Sequence, residues 1–303
     1  MKRSYIIIKL LTVFLCIYVF CIPLQAQFVI TQQLSDRMSG TLPKDQLDEG
    51  KFRCVYKFTQ QIKESKTGNI LFQTDTITLD FGRQFSVYYD WNKDRRDSLN
   101  RAKTKDLNIT AIHHKTSADF DMVQYQDEIG SYFVNTNKGE DAELFKNRLK
   151  NEIITVEVAG LDSYKCIEQL DPQDWQFTTD TLTVLGYLCQ KATTTFRGRI
   201  YEAWFTPEIP ISEGPWKLYG LPGLILKVAV DDDLFSFEAI GLENLNDVYI
   251  TMDKDSYSNC TREEYAKYRS NKRKKLLARH YFNGKLTVGR TINPFLYNDL
   301  ELE

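Results

Sequence analysis

The sequence is poor in the residues that build metal and nucleophile sites. It holds three histidines and six cysteines among 303 residues and no Cys-x-x-Cys pair, which argues against a structural zinc site or a dithiol redox centre. His113 and His114 are adjacent, so they point in different directions on a helix or a strand. Only His280 is left to join them, and no metal or cofactor is expected. GxSxG, HExxH, the Walker A loop and GxGxxG are all missing. So are a fixed-period repeat and the strand–helix alternation of a doubly wound fold. Neither sign of charge dominates: 39 Lys and Arg face 41 Asp and Glu, which argues against nucleic acid as a partner.

Long apolar runs are missing too, except at the start. Met1-Lys2-Arg3 is followed by an apolar stretch from Tyr5 to Cys21, interrupted by Lys9, and then by Pro-Leu-Gln-Ala-Gln at 23–27. A basic start, a short apolar core and Ala26 at the cleavage point read as a signal peptide over residues 1–26. The stretch is short for a membrane span. The mature chain, 27–303, is expected to be exported as a single domain without an integral membrane segment, in the periplasm, outer-membrane-associated or extracellular. Its four cysteines are Cys54, Cys166, Cys189 and Cys260, an even number that permits disulfides in an exported chain. At least one disulfide is expected, with the pairing open.

What the chain has in quantity is aromatic residues, 17 Tyr and 18 Phe, and period-two alternation. Phe52, Cys54, Tyr56 and Phe58 share one strand face; Ile77, Leu79 and Phe81 repeat the pattern, and Phe85, Val87 and Tyr89 follow a turn at 82–84. Ile154, Val156 and Val158 lead to a strand with Tyr164 and Cys166. Arg197-Gly198 joins two strands in a tight hairpin, Asp231 to Asp233 turns another pair, and a last strand lies near Val248 to Met252. Short connections imply antiparallel neighbours, so the fold class is mainly β with a few helices. Helical spacing is read in two places. One is around Leu144, Phe145 and Leu149. The other is 261–279, opened by a Thr261/Glu264 capping box and carrying seven positive charges from Lys267 to Arg279. Those charges make either a solvated face or a surface for anionic lipid or glycan.

Four of the eight prolines fall between Pro207 and Pro222, in a connection from a strand ending near Phe205 to one starting near Leu224. Such a long connection is usually functional or self-packed. Leu221-Pro222-Gly223-Leu224 suits a type II turn, with Gly223 at positive φ and Gly220 allowing close backbone approach. Residues 185–228, which run through Gly220-Leu-Pro-Gly-Leu-Ile225, resemble the signature of the GLPGLI family (also called Porph_ging) of exported Gram-negative bacterial proteins. That family has no established activity. A similar module stands as a bowl-shaped β domain beside some glycan-cleaving enzymes, so the resemblance implies export and an antiparallel meander curled into an open bowl or half-barrel.

The leading expectation is therefore an exported binding or accessory protein whose concave apolar face is rimmed by Trp204, Trp216 and Tyr219. An envelope partner, a lipid-like molecule or a glycan would be its ligand. The alternative is a hydrolase acting on envelope glycans or peptides, for which Glu202, Glu208 and Glu213 stand near the loop. A structural partner protein is third. No catalytic residue is assigned. Cleavage after Ala26 predicts that the exported protein begins at Gln27. Its intact mass checks this, and recovery of residues 1–26 in a membrane fraction would contradict it.

Overall fold

The computed structural model describes residues 42–64, 67–92, 140, 142–159, 162–231, 233–282, 285–292 and 295–296. Residues 1–26, expected as a signal peptide, and the His113-His114 pair lie outside the described residues.

Two meanders are joined edge to edge. The first comprises β1 (Lys44–Glu64), β2 (Ile70–Phe81), β3 (Phe85–Asp90), β4 (Ala142–Asn147), β5 (Glu152–Ala159) and β6 (Asp162–Gln169). The second comprises β7 (Gln176–Val184), β8 (Tyr187–Phe196), β9 (Arg199–Thr206), β10 (Leu224–Val230) and β11 (Phe235–Asp253). β1 pairs antiparallel with β11 and seals them into one sheet, ordered β12-β6-β5-β4-β3-β2-β1-β11-β10-β9-β8-β7. β12 (Ser258–Cys260) adds in parallel beside β6. Helix α1 (Arg262–Lys274) follows it. β13 (Lys275–Phe282) and β14 (Lys285–Ile292) form a separate hairpin, and β15 (Phe295–Leu296) touches β1.

The sheet is open, and the chain forces it to curl. β6 and β7 lie ten strand spacings apart in sheet order, about 48 Å if the sheet were flat. Yet only residues 170–175 connect them, and a fully extended segment of that length reaches no more than about 25 Å. The two margins must therefore approach each other. They do: Arg197, at the β8–β9 turn, bonds Glu168 of β6 at 2.7 Å. The β6 and β7 backbones do not pair, so the result is a half-barrel rather than a barrel.

The register sorts side chains onto the two faces. Cys54, Tyr56 and Phe58 stand opposite Leu79, Ile77 and Asp75 of β2 and opposite Leu242, Ala239 and Phe237 of β11. With Val228, Val230, Tyr201 and Phe205 they make the concave core. On the back of β3–β5, Val87, Phe145, Ile154 and Val156 are covered by Ile250 and Met252 of β11 and by Leu47 of β1. Register shifts between Gln46 and Asp48, Gly50 and Phe52, and Val55 and Tyr56 accompany this bend of the long β1–β11 ribbon. Asp48 fixes the fold-over, accepting hydrogen bonds from the backbone N–H of Gln84 (2.6 Å) and Phe85 (3.0 Å).

That double cover explains one departure from the sequence reading. Residues 142–147, expected as a helix, are strand β4, with Leu144 and Lys146 on the concave face and Phe145 on the back. A short run buried on both sides has no polar face to betray its period; Leu149 lies in the following turn and is exposed. Val248 to Met252 belongs to the long β11 rather than to a strand of its own. The capping box is present, with Glu264 N donating to Thr261 Oγ1 (3.2 Å) and Thr261 N to Glu264 Oε2 (2.9 Å). The helix ends at Lys274, where the chain turns into β13. Arg197 and Gly198 have φ of 48° and 76°, as the tight hairpin requires.

The Gly-Leu-Pro-Gly turn exchanges the roles expected of its glycines. Gly220 has φ of 96°, and Gly223 is not among the residues at positive φ. Gly223 N donates to Leu221 O at 2.8 Å, a three-residue turn around Pro222 that replaces the type II turn. Gly223 is needed for space: a Cβ there would lie 2.0 Å from the Thr206 carbonyl oxygen. All four cysteines stand as thiols, and Cys54 and Cys189 sit fully buried on β1 and β8. From the turn geometry, Gly223→Ala should cost roughly 1–3 kcal/mol through overpacking against backbone. Gly220→Ala should cost about 1 kcal/mol through its left-handed conformation. Urea unfolding ranks the two variants, and a loss at 220 larger than at 223 would contradict the close approach.

Candidate functional site

Residues 207–223, between β9 and β10, lie across the concave face and fill it. Glu213 is 1% exposed; it accepts hydrogen bonds from Lys146 Nζ at 2.9 Å and Ser86 Oγ at 3.1 Å and pairs with Arg148. Lys146 spends its other two protons on the carbonyls of Gly214 (2.9 Å) and Leu218 (2.8 Å). Burial pulls the Lys146 pKa below that of an ordinary lysine, and Glu213 opposes the shift. The Tyr56 hydroxyl donates to Ile225 O at 2.7 Å, where the loop enters β10. Trp216 stacks on Tyr201 with ring centroids 6.0 Å apart. The segment between β6 and β7 straps the loop from outside. Gln173 Nε2 donates to Lys217 O (3.0 Å), Trp175 Nε1 to Tyr219 O (2.8 Å), and the Tyr219 hydroxyl to Leu170 O (2.9 Å).

Between this loop, strands β3–β5 and helix α1 a cleft remains, with about 30 Å³ of free space. Tyr88, Leu144, Thr155 and Trp216 form its apolar and hydroxyl wall. Its charged lining is Arg269 of α1, Glu140 and Lys217. Tyr268 and Arg269 lie three and four positions after Tyr265, so both neighbour it on the face turned to the sheet. The Tyr265 hydroxyl donates to Glu157 Oε2 at 2.7 Å and Tyr268 to Glu157 Oε1 at 3.5 Å. Arg269 bonds Glu140 at 2.7 Å and lies over the Tyr265 ring. Burial raises the Tyr265 pKa well above that of a free tyrosine, so its proton stays on the bond to Glu157. Burial works against the charge of Arg269, but Glu140, Tyr265 and Glu157 together outweigh it and the pKa ends well above the ordinary value. Lys217 pairs with Glu168 at 2.5 Å, tying the loop to the same carboxylate that joins the sheet margins.

The three residues expected at a rim are not gathered into one. Trp216 is buried in the core, and Tyr219 is half-buried with its hydroxyl spent on the strap. Trp204 stands on the other face of β9 from Tyr201 and Phe205, between the ammonium groups of Lys191 and Lys227. Glu213, named with the hydrolase alternative, is the most enclosed carboxylate of the loop. Glu202 pairs with Lys191 at 2.9 Å, and Glu208 accepts from Leu188 N at 3.3 Å. The sequence reading overlooked Glu140, Glu157 and Arg269. Their one signal was Glu157, a lone acid inside the apolar run of β5. Among the described residues, no group of three His, Cys, Asp or Glu is placed to hold a metal ion.

A family model described as "N-glycanase peptide, N-terminal domain" matches residues 131–269. That span holds β4–β12 and most of α1, and so most of the cleft. This corrects the GLPGLI resemblance: the family returned is the N-glycanase domain. The shared hexapeptide is accounted for locally by the φ of Gly220 and the steric demand at Gly223. Two solved structures described as PNGF-II, in space groups P21 and C2, are similar at 15% and 16% identity with TM-scores of 0.45 and 0.44. In both cases the alignment covers 76% of this chain and 36% of the other, so the chain spans about a third of their length. No curated protein matches the chain.

The buried pair generates a stability prediction. Glu213→Gln or Lys146→Met should each cost about 3–5 kcal/mol, because each leaves a buried group without its partner. The double Lys146→Met, Glu213→Leu variant should lose less than the two single losses added. A double-mutant cycle by urea unfolding reads the coupling, and strict additivity would contradict it.

Proposed function

We propose that the protein is an exported glycan-recognition domain of the kind that works with glycan-acting hydrolases, and that its ligand is an N-linked glycan. The observation that carries this reading is the match of residues 131–269 to the N-terminal domain of an N-glycanase. The chemistry of the cleft supports it. Tyrosine and threonine hydroxyls, the Glu140 carboxylate, the Lys217 ammonium, a guanidinium and an indole line the cleft, and Glu157 holds the Tyr265 hydroxyl. Sugars are held by such groups, which offer rings for their apolar faces and hydrogen-bonding partners for their hydroxyls.

Recognition is favoured over bond cleavage because the carboxylates are already engaged. Glu157 holds two tyrosines, Glu140 holds Arg269, and Glu213 holds Lys146 and Arg148. A pair of acids that breaks a glycosidic bond must keep one carboxyl group ready to protonate and the other free for water or the sugar. About 30 Å³ admits water but not a sugar ring, so the glycan would be met outside the cleft, by the part-exposed Arg269 that lines it and by Tyr268 next to it on α1. Among the described residues, no helix is long and apolar enough to cross a membrane.

Calorimetric titration of the exported chain with an N-glycosylated peptide and its unglycosylated twin tests the reading. The glycosylated peptide should bind, and Arg269→Ala or Tyr268→Ala should weaken it roughly tenfold or more, about 1.4 kcal/mol. Equal binding of both peptides, or of neither, would refute it. Release of the glycan by this chain alone would assign hydrolysis to it instead.

A further inference from the structure

We propose that Cys166 and Cys260 are a disulfide-forming pair that clamps β12, and with it helix α1, to the margin of the sheet. The two residues are direct partners in the parallel β12–β6 ladder, in register after Ser258 with Tyr164 and Asn259 with Lys165. Neighbouring strands lie about 4.8 Å apart, inside the roughly 4.4–6.8 Å between Cα atoms that a disulfide spans. Both side chains point to one place, since Cys166, Cys260, Ala142, Tyr265 and Tyr268 pack in one small cluster beneath α1.

The other two thiols are poor competitors. Cys54 and Cys189 are fully buried on β1 and β8, far from the β6 margin in sheet order, and burial pushes them up to about 12 and about 11. Cys260 is part-exposed on the terminal strand, open to an attacking reagent. The clamp also falls where the fold needs one. β12 has three residues, is held by one parallel ladder, and leads directly into the Thr261 cap of α1.

The reaction is thiol–disulfide exchange with a disulfide oxidant, such as the oxidised form of a dithiol protein or of glutathione. One thiolate attacks the oxidant's disulfide, and the second then displaces the mixed disulfide. Two protons and two electrons leave the cysteines as one S–S bond forms, and the oxidant departs as two thiols.

The test uses the exported chain, reduced and then equilibrated with oxidised glutathione. Alkylation under denaturing conditions and peptide mass mapping should find one disulfide, Cys166 to Cys260, with Cys54 and Cys189 alkylated. The oxidised form should melt at a higher temperature, and the α1 amides should exchange hydrogen roughly tenfold more slowly. Cys260→Ser, a change at a part-exposed position, should leave the melt of the reduced protein in place and abolish the oxidant's effect. Four alkylated cysteines, another pairing, or an undiminished oxidant effect in Cys260→Ser would each overturn the proposal.

Discussion

Six residues, 170–175, set the shape of this protein. They must carry the chain from one margin of a broad sheet to the other, and at full stretch they reach only about half the flat distance. The sheet curls because the chain is too short to let it lie open. Curling creates a concave face, and a concave face lined with Tyr56, Leu79, Phe237 and Val228 must be kept from water. The 207–223 loop meets that need, bringing Trp216, Leu218 and Leu221 into the core. The same six-residue segment straps the loop in place through Gln173 and Trp175.

Filling the concavity with a loop rather than a second sheet brings unpaired backbone into the interior. The carbonyls of Gly214 and Leu218 would be orphans there, and a buried orphan costs about 1–3 kcal/mol. Lys146 answers both, and Glu213 answers the charge of Lys146. The polar network is thus a consequence of the loop's irregular path. Its completeness is why Glu213, for all its position beside a proline-rich segment, serves as structure.

The strands, their antiparallel order and the hairpin at Arg197-Gly198 were legible because each alternates or turns by a local rule. So was the helix cap, since Thr261 and Glu264 are three residues apart. β4 was not legible, because Leu144 and Phe145 are buried on opposite faces and erase the alternation. The Gly-Leu-Pro-Gly turn was half legible. Pro222 and two glycines announce a turn, but which glycine needs conformation and which needs space depends on where Thr206 lies, on another strand. The cleft was least legible. Glu140, Glu157 and Arg269 are far apart in sequence and meet only through the ladder of β4 and β5 and the docking of α1.

The pairing of β1 with β11 has a bearing on how the chain acquires its structure. β1 to β6 and β7 to β11 are two runs of near neighbours, each able to zip from its own turns. The seam between them joins residues almost two hundred positions apart, such as Phe58 with Phe237. Contacts of such separation carry a large loop-closure cost and form late. A chain emerging from its N-terminus cannot close the seam until β11 has appeared. Until then β1 has only β2 at its side and an unpaired edge on the other. Closure of the sheet is in effect postponed until Phe235–Asp253 has been made, however early the two meanders form.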